Sequence, residues 1–162
     1  MKPPQSPTPN LQPSLTPLDY AYRLLARRAY SEQELTDRLC DKGFSLGAVS
    51  RAIERLKTQG YLDDTRLAAD QVERLRTRGF GPAAIHAKLT QKGLSADIID
   101  RTLETGEESL DLVSAQRLLA SRFSADALKH PQTRARAFRL LLRRGYSQDL
   151  AESLLGSNPD EP

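Results

Sequence analysis

Arginine is the residue type in this chain whose number and spacing are best suited to binding anionic groups. Its guanidinium is a planar fork of donors that fits the oxygens of phosphate and carboxylate groups, and it is less strongly hydrated than an ammonium group. Eleven arginines gather in three clusters, and the last cluster places five of them within eleven residues with no acid between them. The clusters are Arg23, Arg27 and Arg28; then Arg74, Arg76 and Arg78; then Arg134, Arg136, Arg139, Arg143 and Arg144.

Two interpretations of these clusters stay open. Cations near the C-terminus of a helix complement its dipole, so a cluster there needs no partner. For the first two clusters this interpretation and a binding role stand about level. The third cluster favours binding, because Arg136, Arg139 and Arg143 have the helical spacing i, i+3 and i+7 and share one face. We predict all eleven arginines as candidate contacts to a protein or nucleic-acid partner.

The charge balance limits what that partner can be. The 162 residues carry a net charge of +3 and a pI of about 9.2, which is compatible with nucleic acid but does not establish it. Acids lie close to the first two clusters, and a surface of mixed sign suits a protein partner better than a bare polyanion. Only 6% of the residues are aromatic, which argues against a stacking platform for single-stranded nucleic acid.

The motifs of common enzyme classes are missing from the sequence. It contains no phosphate loop of the form Gly-x-x-x-x-Gly-Lys-Ser/Thr, no Gly-x-Ser-x-Gly elbow and no His-Glu-x-x-His pair. Asp63 and Asp64 stand where a helix begins, a position at which acids cap free amides. His86 has no partner at ligand spacing, and the single Cys40 is expected to be a half-buried packing residue. We therefore predict no enzymatic activity, no cofactor and no metal site.

Three copies of one short pattern organise the chain around these arginines. Each copy joins a base, a glycine and a large apolar residue, with an apolar stripe of helical spacing on either side. The glycines are 50 and 52 residues apart, and a period of this size is typical of stacked copies of one supersecondary unit. Each glycine can take the left-handed conformation that ends a helix. The copies are Lys42-Gly43-Phe44, Lys92-Gly93-Leu94 and Arg144-Gly145-Tyr146.

These signals predict an all-α fold of three tandem three-helix repeats in an extended, curved array. Each repeat is near the size below which a lone core is marginal, so neighbouring repeats must share surface. Ser31 is predicted to cap a helix with Glu34 completing a capping box, and Ser45 and Ser95 to cap later helices. The predicted divisions are a disordered proline-rich tail at 1–17, repeats at 18–62, 63–106 and 107–156, and a polar tail at 157–162.

The remaining composition favours a cytoplasmic protein. The proline-rich start has no apolar core of an export signal, and no apolar run approaches the roughly 20 residues of a membrane helix. One cysteine permits no disulfide within the chain. No helix carries the pattern of a dimer seam, so we expect a monomer.

The centre of the chain carries a long ordered motif with related stretches on both sides. It reads Gly60-Tyr61-Leu62-Asp63-Asp64-x-Arg66-Leu67-Ala68, then Arg78-Gly79-Phe80-Gly81-Pro82-x-x-Ile85-x-x-x-Leu89-x-x-Lys92-Gly93-Leu94. The flanking stretches are Ser31-x-x-Glu34-Leu35-x-x-x-Leu39-x-x-Lys42-Gly43-Phe44 and Leu141-x-x-Arg144-Gly145-Tyr146-Ser147. Over residues 18 to 155 the chain resembles the RecX family, whose members regulate the bacterial recombinase RecA.

The resemblance implies a fold of three tandem three-helix repeats without enzymatic activity. It implies binding to RecA filaments on DNA, along the helical groove of the filament. Slower filament growth, less DNA-stimulated ATP hydrolysis and less strand exchange would follow, which places the protein in recombinational DNA repair and the SOS response. A curved array could touch several protomers at once, and multivalency raises the effective affinity.

A regulator that contacts DNA directly is the alternative. Three-helix units are similar in outline to helix-turn-helix modules, and the third arginine cluster could contact phosphates. Reading base sequence requires side chains such as Asn or Gln at the start of a recognition helix. Among the starts of the third helices only Gln148 fits, and two of the three starts carry an acid. This pattern ranks the DNA-binding hypothesis below RecA binding.

Overall fold

The computed structural model describes residues 15–104 and 108–156. Over these residues the chain forms nine α-helices and a short 3₁₀ turn at Ala127–Lys129, with no strand, as the helical periodicity predicts. Apart from residues 15–17, the predicted tails lie outside the described residues. The helices are α1 Pro17–Leu25, α2 Glu32–Asp41, α3 Leu46–Thr58, α4 Asp64–Thr77, α5 Pro82–Gln91, α6 Ala96–Glu104, α7 Glu108–Ala120, α8 Pro131–Arg143 and α9 Gln148–Leu155.

The helix starts follow capping chemistry, with two departures from the predicted caps. Ser31 accepts the backbone N–H of Glu34 at 3.1 Å, but the Glu34 carboxylate turns to Arg28 instead, so the predicted capping box is wrong. Ser45 occupies the predicted N-cap position of α3, but its side chain makes no capping hydrogen bond. A complete capping box occurs at Thr16 and Asp19 of α1, where the sequence analysis did not expect one.

The helix ends match the predicted glycine stops. Gly43, Gly93 and Gly145 have φ angles of +96°, +78° and +85°, in the left-handed region that a side chain rarely adopts. In each case the following apolar residue turns back, and its N–H bonds a carbonyl in the last turn of the helix. The repeated pattern therefore ends α2, α5 and α8 in the same way.

Three hydrophobic clusters form the cores, one for each successive group of three helices. The first lies among α1–α3 around Leu35 and Leu56, the second among α4–α6 around Ile85 and Leu89, and the third among α7–α9 around Phe138. We call these groups units 1, 2 and 3. Separate clusters of this kind are the arrangement of a repeat protein, in which each unit packs on its neighbours.

The middle helices of the three units meet end to end at two joints. At the second joint, between α8 and α5, the N–H of Gly81 donates to Arg144 O at 2.8 Å and the N–H of Ala83 to Gly145 O at 3.1 Å. At the first joint, between α5 and α2, the Ser31 hydroxyl donates to Lys92 O. Each joint thus brings carbonyls at the end of one helix to donors at the start of another, which are backbone N–H groups at the second joint and a serine hydroxyl at the first.

Glycine is required at these joints for its small size as well as for its φ angle. A Cβ on Gly145 would stand 2.3 Å from the backbone nitrogen of Ala84, and a Cβ on Gly93 would stand 2.8 Å from the Cβ of Gln33. A Cβ on Gly43 would meet nothing within 4 Å. The first glycine of the series therefore lies at an open end, whereas the other two are covered by the preceding unit.

A chain of polar contacts adds to the second joint. The Tyr146 hydroxyl lies 2.8 Å from the Ser114 hydroxyl, which donates to Arg76 O at 2.6 Å. Burial raises the pKa of Tyr146, so the phenol stays protonated and can donate. Arg76 Nε bonds Asp111 Oδ1 at 2.9 Å, and both side chains are nearly buried, at 12% and 13% exposed. These contacts tie α4 of unit 2 to α7 of unit 3 and to Tyr146 in the loop between α8 and α9.

Candidate partner interface

Helix α8 presents three arginines of the third cluster on its outer face. Pro131 occupies the first turn, where a missing N–H costs nothing. Ala137, Phe138 and Leu141 turn inward to the core of unit 3, which leaves the opposite side of the helix to solvent. The predicted shared face of Arg136, Arg139 and Arg143 is present, and all three side chains are exposed.

These three arginines border a groove of about 590 Å³, which we call the arginine groove. Phe123, Leu140 and Leu142 supply its apolar lining. A fourth base, Arg122, also lines it and was missed by the sequence analysis. Arg122 lies just beyond α7, fourteen residues or more before the others, so only the packing of α7 against α8 brings it to this site.

The other two members of the third cluster lie elsewhere. Arg134 is exposed in the first turns of α8 and does not line the arginine groove. Arg144 is half-buried at the second joint, where its guanidinium lies 5.0 Å from the centre of the Phe80 ring. Its Nη1 donates to Arg78 O at 3.2 Å. Arg144, which follows Arg143 in the sequence, is therefore part of the second joint and not of the arginine groove.

The first cluster lies around the end of α1. Arg23 is in its last turn, whereas Arg27 and Arg28 follow the end of the helix at Leu25. Arg23 and Arg27 are exposed. Arg28 is engaged within the chain, since both of its terminal nitrogens bond the Glu34 carboxylate and its guanidinium lies 3.7 Å from the Tyr30 ring centre. The hydrogen bond to Arg28 lowers the pKa of Glu34, outweighing the opposing effect of burial.

The second cluster is divided in the same way. Arg74 and Arg78 are exposed at the end of α4 and at its C-cap. Arg76 instead points into the second joint and pairs with Asp111. Its Nη2 is buried and has no hydrogen-bond partner among the described residues. Arg28, Arg76 and Arg144 are thus used inside the chain, and the arginine groove is the densest basic surface among the candidates.

The acids and the cysteine that the sequence analysis assigned to capping or packing, and not to catalysis or metal binding, lie in positions that fit those roles. Asp63 accepts the N–H of Arg66 at 2.9 Å and caps α4. Asp64 accepts the N–H of Glu32 at 3.0 Å and so caps α2 in the neighbouring unit; burial raises its pKa. His86 lies at the surface 3.4 Å from Asp100, and Cys40 is half-buried. Within 15–104 and 108–156, no group of three His, Cys, Asp or Glu residues could hold a metal ion.

The chemistry of the arginine groove is that of an anion site with an apolar lining. Four guanidinium groups can bind several phosphate or carboxylate oxygens, and Phe123 and the leucines can contact the apolar part of the same partner. Among the described residues, no helix is both long enough and apolar enough to cross a membrane.

Comparisons with known proteins identify the relatives of this chain. Residues 18–56 match the family description "RecX, first three-helix domain", and residues 63–103 match "RecX, second three-helix domain". "Regulatory protein RecX" of Xanthomonas campestris pv. campestris strain B100 is 36% identical over 131 residues, which cover 81% of this chain and 80% of the relative. "Regulatory protein RecX" of Haemophilus influenzae strain PittEE is 30% identical over 146 residues, covering 88% and 95%.

The fold has a solved counterpart. The crystal structure of RecX from Lactobacillus salivarius superposes with a TM-score of 0.72 at 20% identity, covering 85% of this chain and 91% of that chain. This likeness concerns the helical architecture, and the sequence relationship rests on the two relatives above. The chain therefore belongs to the RecX family of regulatory proteins.

Proposed function

We propose that this protein binds RecA filaments assembled on DNA and slows their growth. Less DNA-stimulated ATP hydrolysis and less strand exchange would follow. Family membership carries this proposal, because relatives named as regulatory proteins match most of the chain at 30% identity or more. The arginine groove supports it by offering a surface suited to the phosphates of DNA or the carboxylates of a protein.

The joined units support a role as a multivalent binder. We propose that units 1–3 are the repeats predicted at 18–62, 63–106 and 107–156, and that they form an extended, curved array. The two joints connect neighbouring units through backbone hydrogen bonds and covered glycines. Connected sites convert later contacts into intramolecular ones, which raises overall affinity without a new kind of contact. A cytoplasmic monomer without activity of its own is sufficient for this function.

The direct test is the rate of ATP hydrolysis by RecA on single-stranded DNA, measured at rising concentrations of this protein. We expect the rate to fall as the filament sites fill. An unchanged rate at several-fold excess over filament sites would contradict the proposed function. Turnover by this protein alone, measured in the same assay without RecA, would contradict the absence of enzymatic activity.

Direct binding to DNA is the second candidate, and the arginine groove favours it. Four arginines on one surface could contact phosphates without reading sequence. Recognition of a specific base sequence has less support. Gln148, the candidate base-reading side chain, donates from Nε2 to Glu152 Oε1 at 2.9 Å within its own helix. Fluorescence anisotropy of a labelled duplex tests this candidate without RecA. Affinity that is equal among unrelated sequences and falls with salt is expected, and a marked preference for one sequence would contradict phosphate-only binding.

A further inference from the structure

A second groove, separate from the arginine groove, lies where unit 2 meets unit 3. It has a volume of about 750 Å³ and runs between α4 and α7, so we call it the α4–α7 groove. Val72 and Arg76 line it from α4, and Leu110, Val113 and Leu118 line it from α7. Its volume is within the range of about 300–1,000 Å³ that is typical of binding clefts.

Helix α7 has apolar residues on two sides, and only one side is covered. Ala115 and Leu119 pack into the core of unit 3. Leu110 and Val113, three residues apart and hence neighbours on the helix surface, line the α4–α7 groove with 49% and 39% of their areas exposed. A helix at the edge of a core is usually polar on its outer side. These two side chains thus form an apolar strip that the described part of the chain leaves partly exposed.

The charges around this strip are mostly positive. Arg76, Arg78 and Arg117 line the groove, against one acid, Glu73. Asp111, the partner of Arg76, does not line it. Arg78 and Arg117 are exposed beside the apolar strip, and Arg76 Nη2 is a buried donor without an acceptor in the described residues. An occupant that is apolar on one side and acidic on its flanks complements this surface.

The geometry points to the α4–α7 groove as a docking site for an acidic amphipathic helix of a protein partner. Two helices that flank an apolar channel accept a third helix by its apolar face, with anchors spaced i, i+3 or i+4. α4 has 14 residues and is therefore about 21 Å long, room for an occupant of three to four turns. Leucines of the occupant would contact Leu110 and Val113, and its carboxylates would pair with Arg78 and Arg117.

This site differs from the arginine groove in the kind of binding it supports. Contacts with Leu110 and Val113 exclude water and respond little to salt. The arginine groove depends on exposed charges, which salt screens. The inference goes beyond the proposed function, because it assigns a surface by its own chemistry and holds for any protein that supplies such a helix.

A synthetic helix of about 14 residues provides the test. Its apolar face carries leucine and its flanks carry glutamate, and a matched peptide carries lysine in place of glutamate. Fluorescence anisotropy measures affinity, and amide chemical shifts show whether α4 and α7 are the elements contacted. We expect the glutamate peptide to bind the parent protein more tightly than the lysine peptide and to shift the amides of α4 and α7.

Variants separate the apolar and charged contributions. Leu110→Ala combined with Val113→Ala should weaken binding of the glutamate peptide by roughly tenfold, with little change in the melting temperature because both side chains are half-exposed. Arg117→Glu should weaken the glutamate peptide and strengthen the lysine peptide. The matched controls are Leu46→Ala, a leucine 75% exposed on α3, and Arg51→Glu, an exposed arginine on the same helix; both should bind like the parent.

Four results would each overturn the inference. They are failure of the glutamate peptide to bind, equal binding of the two peptides, unchanged affinity in the double alanine variant, and displacement of the peptide by a short DNA duplex. The last result would identify the groove as a phosphate site. RecA is absent from this experiment, so its failure is distinguishable from failure of the filament assay.

Discussion

Arg143 and Arg144 are neighbours in the chain, but they belong to two different regions of the molecule. Arg143 borders the arginine groove, where its exposed guanidinium is available to a partner. Arg144 lies at the second joint, stacked near Phe80 and bonded to the carbonyl of Arg78. One step along a helix turns a side chain by about 100°, which is enough to move it from a binding surface to an interface between units.

The comparison teaches that arginine has two separable uses in this fold. At the second joint it bonds a backbone carbonyl and a nearly buried acid, and its loss should reduce stability. In the arginine groove it faces solvent, and its loss should reduce binding while the fold survives. The predictions below test this division, from the largest expected effect to the smallest.

The largest effect is expected at the second joint. Gly145→Ala places a Cβ 2.3 Å from the nitrogen of Ala84, so the joint must open or shift. We expect the free energy of unfolding, measured with urea, to fall by roughly 3 kcal/mol. Gly43→Ala is the matched control, because its φ is also positive but a Cβ there meets nothing within 4 Å. It should lose about 1 kcal/mol, and equal losses in the two variants would show that the joint does not contribute to stability.

The nearly buried ion pair of the same joint, between Arg76 and Asp111, comes next. Asp111→Ala leaves the nearly buried Arg76 without its acid, and we expect a loss of about 2 kcal/mol in the free energy of unfolding. The double variant Arg76→Met with Asp111→Leu should recover most of that loss, because it removes both charges and fills the space. Glu34→Ala, which breaks the more exposed pair with Arg28, is the control and should cost less than about 1 kcal/mol. A double variant as unstable as Asp111→Ala would contradict this account.

The arginine groove should show the opposite behaviour. Replacing Arg136, Arg139 and Arg143 by alanine should leave the melting temperature nearly unchanged, since alanine favours the helix. Affinity for DNA or for the RecA–DNA filament should fall roughly tenfold at low salt, and the slope of log affinity against log salt should become shallower by up to about 0.9 per lost phosphate contact.

The control for this variant removes the same charge elsewhere. Replacing Arg51, Arg55 and Arg66 by alanine takes three exposed arginines from outside the predicted clusters. This triple variant should retain more of the affinity and more of the salt slope than the groove variant. If both variants lose affinity equally, the binding depends on net charge and the arginine groove is not a specific site.

The smallest effect concerns the pair between Arg28 and Glu34 and appears as a dependence on pH. Arg28 lowers the pKa of Glu34 below its ordinary value of 4.5 in the folded protein. The pair therefore stabilises the fold above pH 4.5, and this contribution disappears as the pH falls through the lowered pKa. Urea unfolding of the parent and of Glu34→Gln should differ by under about 1 kcal/mol at pH 7 and converge in acid. A difference that grows in acid would contradict the sign.

The helices and their ends could be predicted from local sequence, because their causes are local. Apolar residues three and four apart determine the buried face of each helix, and a glycine in the left-handed conformation ends it. Gly43, Gly93 and Gly145 confirm this, as do Asp63 at the start of α4 and the shared face of Arg136 and Arg139. RecX family membership followed from the order of the same residues along the chain.

The partners of side chains across units could not be predicted in this way. Ser31 caps its own helix as expected, but its hydroxyl also donates to Lys92 O, 61 residues away. Glu34 has the spacing of a capping box but pairs with Arg28, because a charged partner within reach competes with a backbone amide. Arg122 reaches the arginine groove from the turn just beyond α7, and its spacing from the other arginines in the sequence does not predict this.

Sequence by itself determined an all-α chain of repeated three-helix units with arginine concentrated on α8, since helical period, capping and glycine stops act over a few residues. Only the tertiary structure decided which arginines face solvent and which lie in a joint. Arg76, Arg78 and Arg144 all lie near the C-terminal end of a helix, yet Arg76 pairs with a nearly buried acid, Arg78 is exposed and Arg144 lies against the Phe80 ring. The physical reason is that each role depends on what the neighbouring unit places within about 3–5 Å, and that follows from how the units pack.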